Sequence, residues 1–146
     1  MLEVRSRNQN VAYTDCLMKY RESSDFVIIA DVDDILFPKS GSYFKDFSAW
    51  SKLHPSAAAF MYDRRFAQIN VAKYIQQFSL YDTMKSLVVL NETVIGKSVY
   101  QTKNAETAWI HFPGLHNETT ISIPNEKIFH VQIKSMVSIF AHLNYT

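Results

Sequence analysis

Asp31, Asp33 and Asp34 stand within four residues of one another, directly after the apolar run Phe26–Ala30. Carboxylates packed this closely repel one another, and any loss of water raises the cost of keeping them ionised. A divalent cation offsets both effects, because Mg²⁺ and Mn²⁺ prefer hard oxygen ligands and often share their shell with phosphate. The carboxyl end of a strand in an open α/β sheet is also where ligands commonly bind. The residue types therefore point to a metal–phosphate site. The alternative is a polar turn between two strands, since aspartate is common in turns. A second charged group, Asp63-Arg64-Arg65, is open in the same way: Arg64 and Arg65 read either as a solvated face or as donors to a diphosphate.

The elements that must position these residues follow from periodicity. Phe26–Ala30 is β-branched and apolar and reads as a fully buried strand, and Ile35–Phe37 reads as a short strand that Pro38 stops. Ahead of them, residues 7–20 read as a helix with Val11, Cys16, Leu17 and Tyr20 on one face. Asp15 in that helix is either an exposed polar residue or a partner of the acidic turn. Ser42 is placed to cap a helix over Tyr43–Leu53 that gathers Phe44, Phe47 and Trp50 on one side. Ala57–Tyr62 and Leu87–Leu90 read as strands, while Val71–Met84 fits a helix or a loop equally well. The last third carries short strand candidates at Ser98–Thr102, Ala108–Phe112, Ile121–Ile123 and Ile128–Val131, then a terminal helix over Ser135–Leu143.

Composition limits the function classes. The 146 residues suffice for one ordinary domain, and no linker or internal repeat divides them. A net charge of +1 gives no electrostatic case for nucleic acid or an anionic membrane surface. Only three glycines are present, which argues against a glycine-rich phosphate loop. The single cysteine, Cys16, rules out an intrachain disulfide and reads as a small core hydrophobe. No apolar run is long enough to span a membrane, and the first ten residues are too polar for a signal peptide. Asn91-Glu-Thr93, Asn117-Glu-Thr119 and Asn144-Tyr-Thr146 nevertheless match the N-glycosylation pattern and favour a secretory lumen. Any targeting segment would then lie on sequence missing from this chain, which reads as a fragment or a short gene product.

At several points the chain resembles glycosyltransferase family 92. Asn10–Tyr20, NVAYTDCLMKY, is similar to the family's "ALNDCL" helix, and Phe26–Pro38 to its "D-x-D-E-F-hydrophobic-P" strand and turn. Gly96-Lys97-Ser98 resembles "GKSI", His111-Phe112-Pro113 resembles "H-F/Y-P", and Ile128-Phe129-His130 resembles the late "LHHYR". The order and spacing of these motifs cover about three-quarters of the chain. The resemblance implies a partial GT-A-like α/β fold: a single domain over residues 1–146 that lacks the family's N-terminal βα units. It also implies a metal-dependent, inverting transfer of a hexose, such as galactose, from a nucleotide sugar such as a uridine diphosphate hexose to a glycan acceptor. On that model Asp31 and Asp33 bind Mn²⁺ or Mg²⁺ and, with it, the donor's diphosphate, and His130 completes the metal shell. The expected place is the Golgi membrane or lumen, with full-length relatives membrane-anchored.

Two departures stand out: Asp34-Ile35 replaces the family's Glu-Phe, and His130-Val131-Gln132 lacks the basic and aromatic end of "HHYR". No residue is identified as the catalytic base. The rival readings are a non-catalytic lumenal domain that binds glycan or protein, and a phosphatase of the haloacid-dehalogenase type with Asp31 as nucleophile and Asp33 as acid/base. The phosphatase reading lacks a later "GDxxxD" or "DD" pair, and Ile35 stands where that superfamily has threonine.

Overall fold

The computed structural model describes residues 5–115, 119–124 and 128–138. Helix α1, Arg5–Tyr20, is polar over most of its surface and docks through a narrow stripe. Leu17 is fully buried, and Tyr13, one turn earlier, packs beside it. Val11 and Tyr20, expected on the same face, are exposed. The reason is angular: Val11 lies about 120° round the helix from Leu17, whereas Tyr13 lies about 40° away. Thr14 fixes the helix further, its hydroxyl donating to Ala108 O at 3.1 Å and accepting from Ala108 N at 3.2 Å. Asp15 is exposed and Cys16 is partly covered.

Among the described residues eight strands form two four-stranded mixed sheets. The first contains β1 (Phe26–Ile28), β3 (Ala59–Tyr62), β6 (Ser98–Gln101) and β7 (Thr120–Ile123), in the order β1-β6-β3-β7. Its pairings are antiparallel except for β3 with β7. Alternate residues feed opposite faces, as the pleat requires. Ala59 and Tyr100 join Leu17 of α1 in one core cluster, with Ile29, Ala58, Ala105 and Ala108. Phe60, Tyr62, Val99 and Ile123 join Phe47 in the other. Phe47 belongs to α2, Tyr43–Leu53, whose N-cap Ser42 accepts from Lys45 N at 3.4 Å, so this sheet lies between two helices. Trp50 packs against the same cluster, but Phe44 is 61% exposed, so the expected aromatic face is only partly buried.

The strand expected over Phe26–Ala30 is shorter and less buried than its composition predicts. It ends at Ile28, lies at the edge of its sheet, and leaves Ile28 41% exposed. Only Ile29, held by its N–H to Ser98 O at 3.3 Å, is fully covered at the carboxyl end.

The second sheet contains β2 (Asp34–Pro38), β4 (Arg64–Val71), β5 (Val88–Val94) and β8 (Ile128–Ser138), in the order β2-β8-β4-β5. β8 runs antiparallel to β2 and parallel to β4, with hydrogen-bonding partners on both sides. This overturns the terminal helix expected from Ser135: residues 135–138 pair with Gln68–Val71, and residues 139–143 lie outside the described residues. Over 135–138 the ladder with β4 outweighs a weak local helical pattern. Arg64 and Arg65 open β4. Val71–Met84 resolves into a 3₁₀ turn at Ile75–Gln77 and α3, Leu80–Lys85, which Ser79 caps at 3.2 Å.

Ala108–Phe112 is not a strand. Side chains take up its backbone groups instead: Tyr100 Oη donates to Trp109 O at 2.9 Å and accepts from Trp109 N at 3.2 Å, and Ser98 Oγ donates to His111 O. Among the described residues no helix is long and apolar enough to cross a membrane.

The order of strands has one consequence for chemistry. β1 to β2, β3 to β4 and β5 to β6 each pass from one sheet to the other. The residues at these crossings are 29–33, Asp63 and 95–97, so the acidic turn, the arginine pair and the Gly-Lys-Ser segment all fall along the seam between the sheets.

Candidate functional site

The acidic turn is closed by its own atoms. Asp34 N donates to Asp31 O at 3.0 Å, and Asp31 N donates back to Asp34 Oδ2 at 3.0 Å. Asp33 O accepts from Ile133 N of β8 at 3.0 Å, which pins the turn to the second sheet. Val32 at the tip is fully exposed. The turn reading of this segment is realised: aspartate builds the turn, and the turn sets three carboxylates in different surroundings.

Asp34 points inward. Its side chain is 1% exposed and lies 3.9 Å from Arg64 Nη1, an ion pair beyond hydrogen-bond reach. Asp31 is about one-third exposed and meets Lys97, whose Nζ is 3.0 Å from Oδ2 and whose side chain is only 5% exposed. Tyr13 Oη donates to Asp31 Oδ1 at 3.4 Å and itself accepts from Gln9 Nε2, so α1 reaches the turn as well. Asp33 is half-buried, and its carboxylate has no hydrogen bond or ion pair among the described residues. Of the three acids, Asp33 alone presents an uncommitted carboxylate.

Lys97 sits where it does because the β5–β6 crossing is tied down on both sides. Tyr62 N donates to Lys97 O at 3.1 Å. His111 Nδ1 lies 2.7 Å from Gly96 O, and because a carbonyl only accepts, Nδ1 carries the proton. The His-Phe-Pro and Gly-Lys-Ser segments thus support one another, and between them they aim a buried ammonium at Asp31.

Arg64 reaches the acidic turn through Asp34; Arg65, the next residue on β4, projects from the opposite face of the strand. The backbone of His130 lies in β8 opposite Leu36 of β2 and Arg64 of β4, while its side chain lies outside the described residues. Asn91 is exposed on β5, and Asn117 and Asn144 lie outside the described residues.

Sequence reasoning did not assign Lys97 or Tyr13 to the site. Both fall inside segments singled out only for their resemblance to family motifs, and neither spacing nor polarity marks a lysine some sixty residues away as a partner of Asp31. The usable signal was a lysine inside an otherwise apolar and small-residue stretch.

Hard oxygen donors suit Mg²⁺ or Mn²⁺, but among the described residues no three His, Cys, Asp or Glu side chains converge as a metal cage. Such ions usually keep several waters and take one or two carboxylates plus substrate phosphate. Asp33 and Asp31 supply oxygen donors of the type such an ion takes, in the number it takes from protein. The cavity beside them, lined by Asp34, Tyr62, Lys97 and Ser98 among others, is about 20 Å³, room for a single water. Small-molecule pockets are typically about 300–1,000 Å³. The turn thus offers charge and ligands, while the walls of a nucleotide-sized pocket are not formed around it by the described residues.

A mixed α/β domain with an acidic turn on the seam of two mixed sheets is consistent with an α/β glycosyltransferase domain. Comparison with known proteins makes the class specific: the family model for glycosyltransferase family 92 matches residues 1–145. Three glycosyltransferase family 92 proteins of Caenorhabditis elegans are similar to this chain. One is 33% identical over 77% of the chain and 23% of its own length; a second is 34% identical over 76% and 22%. The third is 30% identical over 89% of the chain and 26% of its own length. The chain belongs to glycosyltransferase family 92, and it spans about a quarter of the length of these relatives.

Proposed function

We propose that this chain carries part of the donor site of a metal-dependent, inverting hexosyltransferase. The donor is a nucleotide sugar, with a uridine diphosphate hexose such as galactose first in line, and the acceptor is a glycan. The observation that carries this reading is the acidic turn of a family 92 chain, which leaves Asp33 uncommitted beside a partly exposed Asp31. The exposed Asn91 supports a secretory-pathway setting, with the Golgi as the expected compartment and membrane anchoring as the expected state of longer relatives.

Each residue has a defined task in this reading. Asp33 and Asp31 hold a divalent cation, with His130 as a further ligand, and the cation when bound supplies Lewis-acid neutralisation of charge on the departing nucleoside diphosphate. Asp34 does not ligate; it locks the turn by accepting from Asp31 N. Arg64 sits behind that lock and adds positive potential on the side a diphosphate would approach. Arg65 stands as a second diphosphate contact only if the pocket wraps round β4. Inversion requires a base on the acceptor side to take the hydroxyl proton during attack on the anomeric carbon. No residue of this chain is assigned that role.

Calorimetric titration of the chain with uridine diphosphate, with and without Mn²⁺, tests the reading. Binding that needs the metal, is abolished by Asp31→Asn or Asp33→Asn and is weakened by His130→Ala supports it. Unchanged binding in both aspartate variants sinks the site assignment. No binding by a folded chain, followed by none in a protein of the relatives' full length, favours a non-catalytic binding domain.

A further inference from the structure

We propose that Lys97 is a positioning residue that serves as a built-in countercation to Asp31, and that a divalent ion must displace it to bind. This rests on the donor-site reading above and concerns the control of that site.

The argument starts from charge. Three aspartates within four residues are met by two fixed cations, Arg64 against Asp34 and Lys97 against Asp31. Among the described residues that leaves one uncompensated negative charge, on Asp33, rather than three. The two cations are held differently. Arg64 faces a carboxylate that solvent scarcely reaches and whose other oxygen the turn itself uses. Lys97 faces the only committed carboxylate that solvent also reaches: Asp31 is 34% exposed, and its Oδ1 has only a long 3.4 Å contact from Tyr13.

Lys97 itself is nearly buried, with its backbone held by Tyr62 N and its neighbour Gly96 held by His111. An ammonium so enclosed has few alternatives to Asp31, and removing its partner leaves a charge with poor access to water. A divalent ion that takes Asp31 must therefore also leave Lys97 a new anion. The diphosphate of a donor supplies one; the bare ion in water does not. The geometry thus opposes loading by metal alone and favours loading by metal together with diphosphate.

The test measures Mn²⁺ affinity of the full chain without nucleotide, by electron paramagnetic resonance of free Mn²⁺, in the wild type, Lys97→Met and Lys97→Gln. Losing a cation about 3 Å from a ligand carboxylate should tighten nucleotide-free Mn²⁺ binding by at least about tenfold, even after screening at a partly exposed site. A merely structural role for Lys97 moves affinity the other way or not at all, so unchanged or weaker binding in both variants overturns the proposal. In parallel, uridine diphosphate should raise Mn²⁺ affinity in the wild type more than in Lys97→Met.

Where neither variant folds, side-chain ammonium NMR of the wild type during a Mg²⁺ titration decides the matter. Release of Lys97 speeds hydrogen exchange of its ammonium as the ion binds; an unperturbed signal at saturation overturns the proposal. The two readings fail separately. Wild-type Mn²⁺ binding that depends on Asp33 but is not tightened by loss of Lys97 defeats this inference alone. Absence of Mn²⁺ binding in every form, with or without uridine diphosphate, defeats both.

Discussion

Replacing Asp34 should cost stability first and binding only as a consequence. Its carboxylate accepts from Asp31 N at 3.0 Å and lies 3.9 Å from Arg64, with the side chain 1% exposed. Deleting a hydrogen bond to a charged acceptor costs about 1.5–3 kcal/mol. Stranding Arg64 adds less than the roughly 3–5 kcal/mol of a broken buried pair, since the separation is long and Arg64 keeps some solvent, so about 1 kcal/mol is a fair share. Asp34→Ala should therefore lose about 3 kcal/mol, a large part of the roughly 5–15 kcal/mol typical of a domain. Asp34→Asn keeps an oxygen for the Asp31 N–H and should lose about half as much. Urea unfolding followed by circular dichroism reads this directly: with a slope of about 1–3 kcal/mol/M, the midpoint for the alanine variant falls by about 1–3 M. An alanine variant as stable as the wild type, yet unable to bind uridine diphosphate with Mn²⁺, would refute the reasoning and make Asp34 a ligand.

Three further outcomes follow from the packing. Burial, reinforced by the charge of Asp46, pushes the Tyr62 phenol far above its ordinary pKa of 10.0. The folded state thus keeps a proton that the unfolded chain releases, so this contribution to stability is intact below about pH 10 and is lost as pH rises beyond it. Tyr62→Phe should flatten the alkaline limb in melts from pH 8 to 11 at no cost at neutral pH, because the hydroxyl has no partner among the described residues. Leu17→Ala should lower stability by about 2–5 kcal/mol in urea unfolding and detach α1, whose Tyr13 reaches Asp31. Ser42→Ala should cost about 1 kcal/mol by removing the cap of α2, measured in the same way.

Local signals were legible where local chemistry decides. The Ser42 cap, the Tyr43–Leu53 helix and the Ile35–Phe37 strand depend on residues close in sequence, and the structure shows all three, the strand one residue longer at each end, over Asp34–Pro38. The errors share a different cause. β8 continues through Ser135–Ser138 because β4 runs beside it, and β4 lies some seventy residues earlier. Ala108–Phe112 has strand-like composition but loses its backbone groups to Tyr100, Ser98 and Thr14, two of them on another strand and one on α1. The exposed Ile28 contradicts an apolar run that looks fully buried, because pattern reports hydrophobicity and not the number of neighbouring strands.

The same distinction explains the three aspartates. Their spacing announces an acidic turn and the need for positive charge, but not which charge answers which acid. That assignment is made by the topology: because β1, β3 and β5 each hand the chain across to the other sheet, Asp31, Arg64 and Lys97 are delivered to one seam from three separate crossings. Asp34 then faces inward to build the turn, Asp31 is lent to Lys97, and Asp33 is left over. A strand order that kept β5 and β6 in one sheet would have carried Lys97 elsewhere and left two uncompensated acids at the turn. Under the proposal made above, the seam brings its own cation, Lys97, to Asp31, and a divalent ion must displace it when a suitable anion arrives.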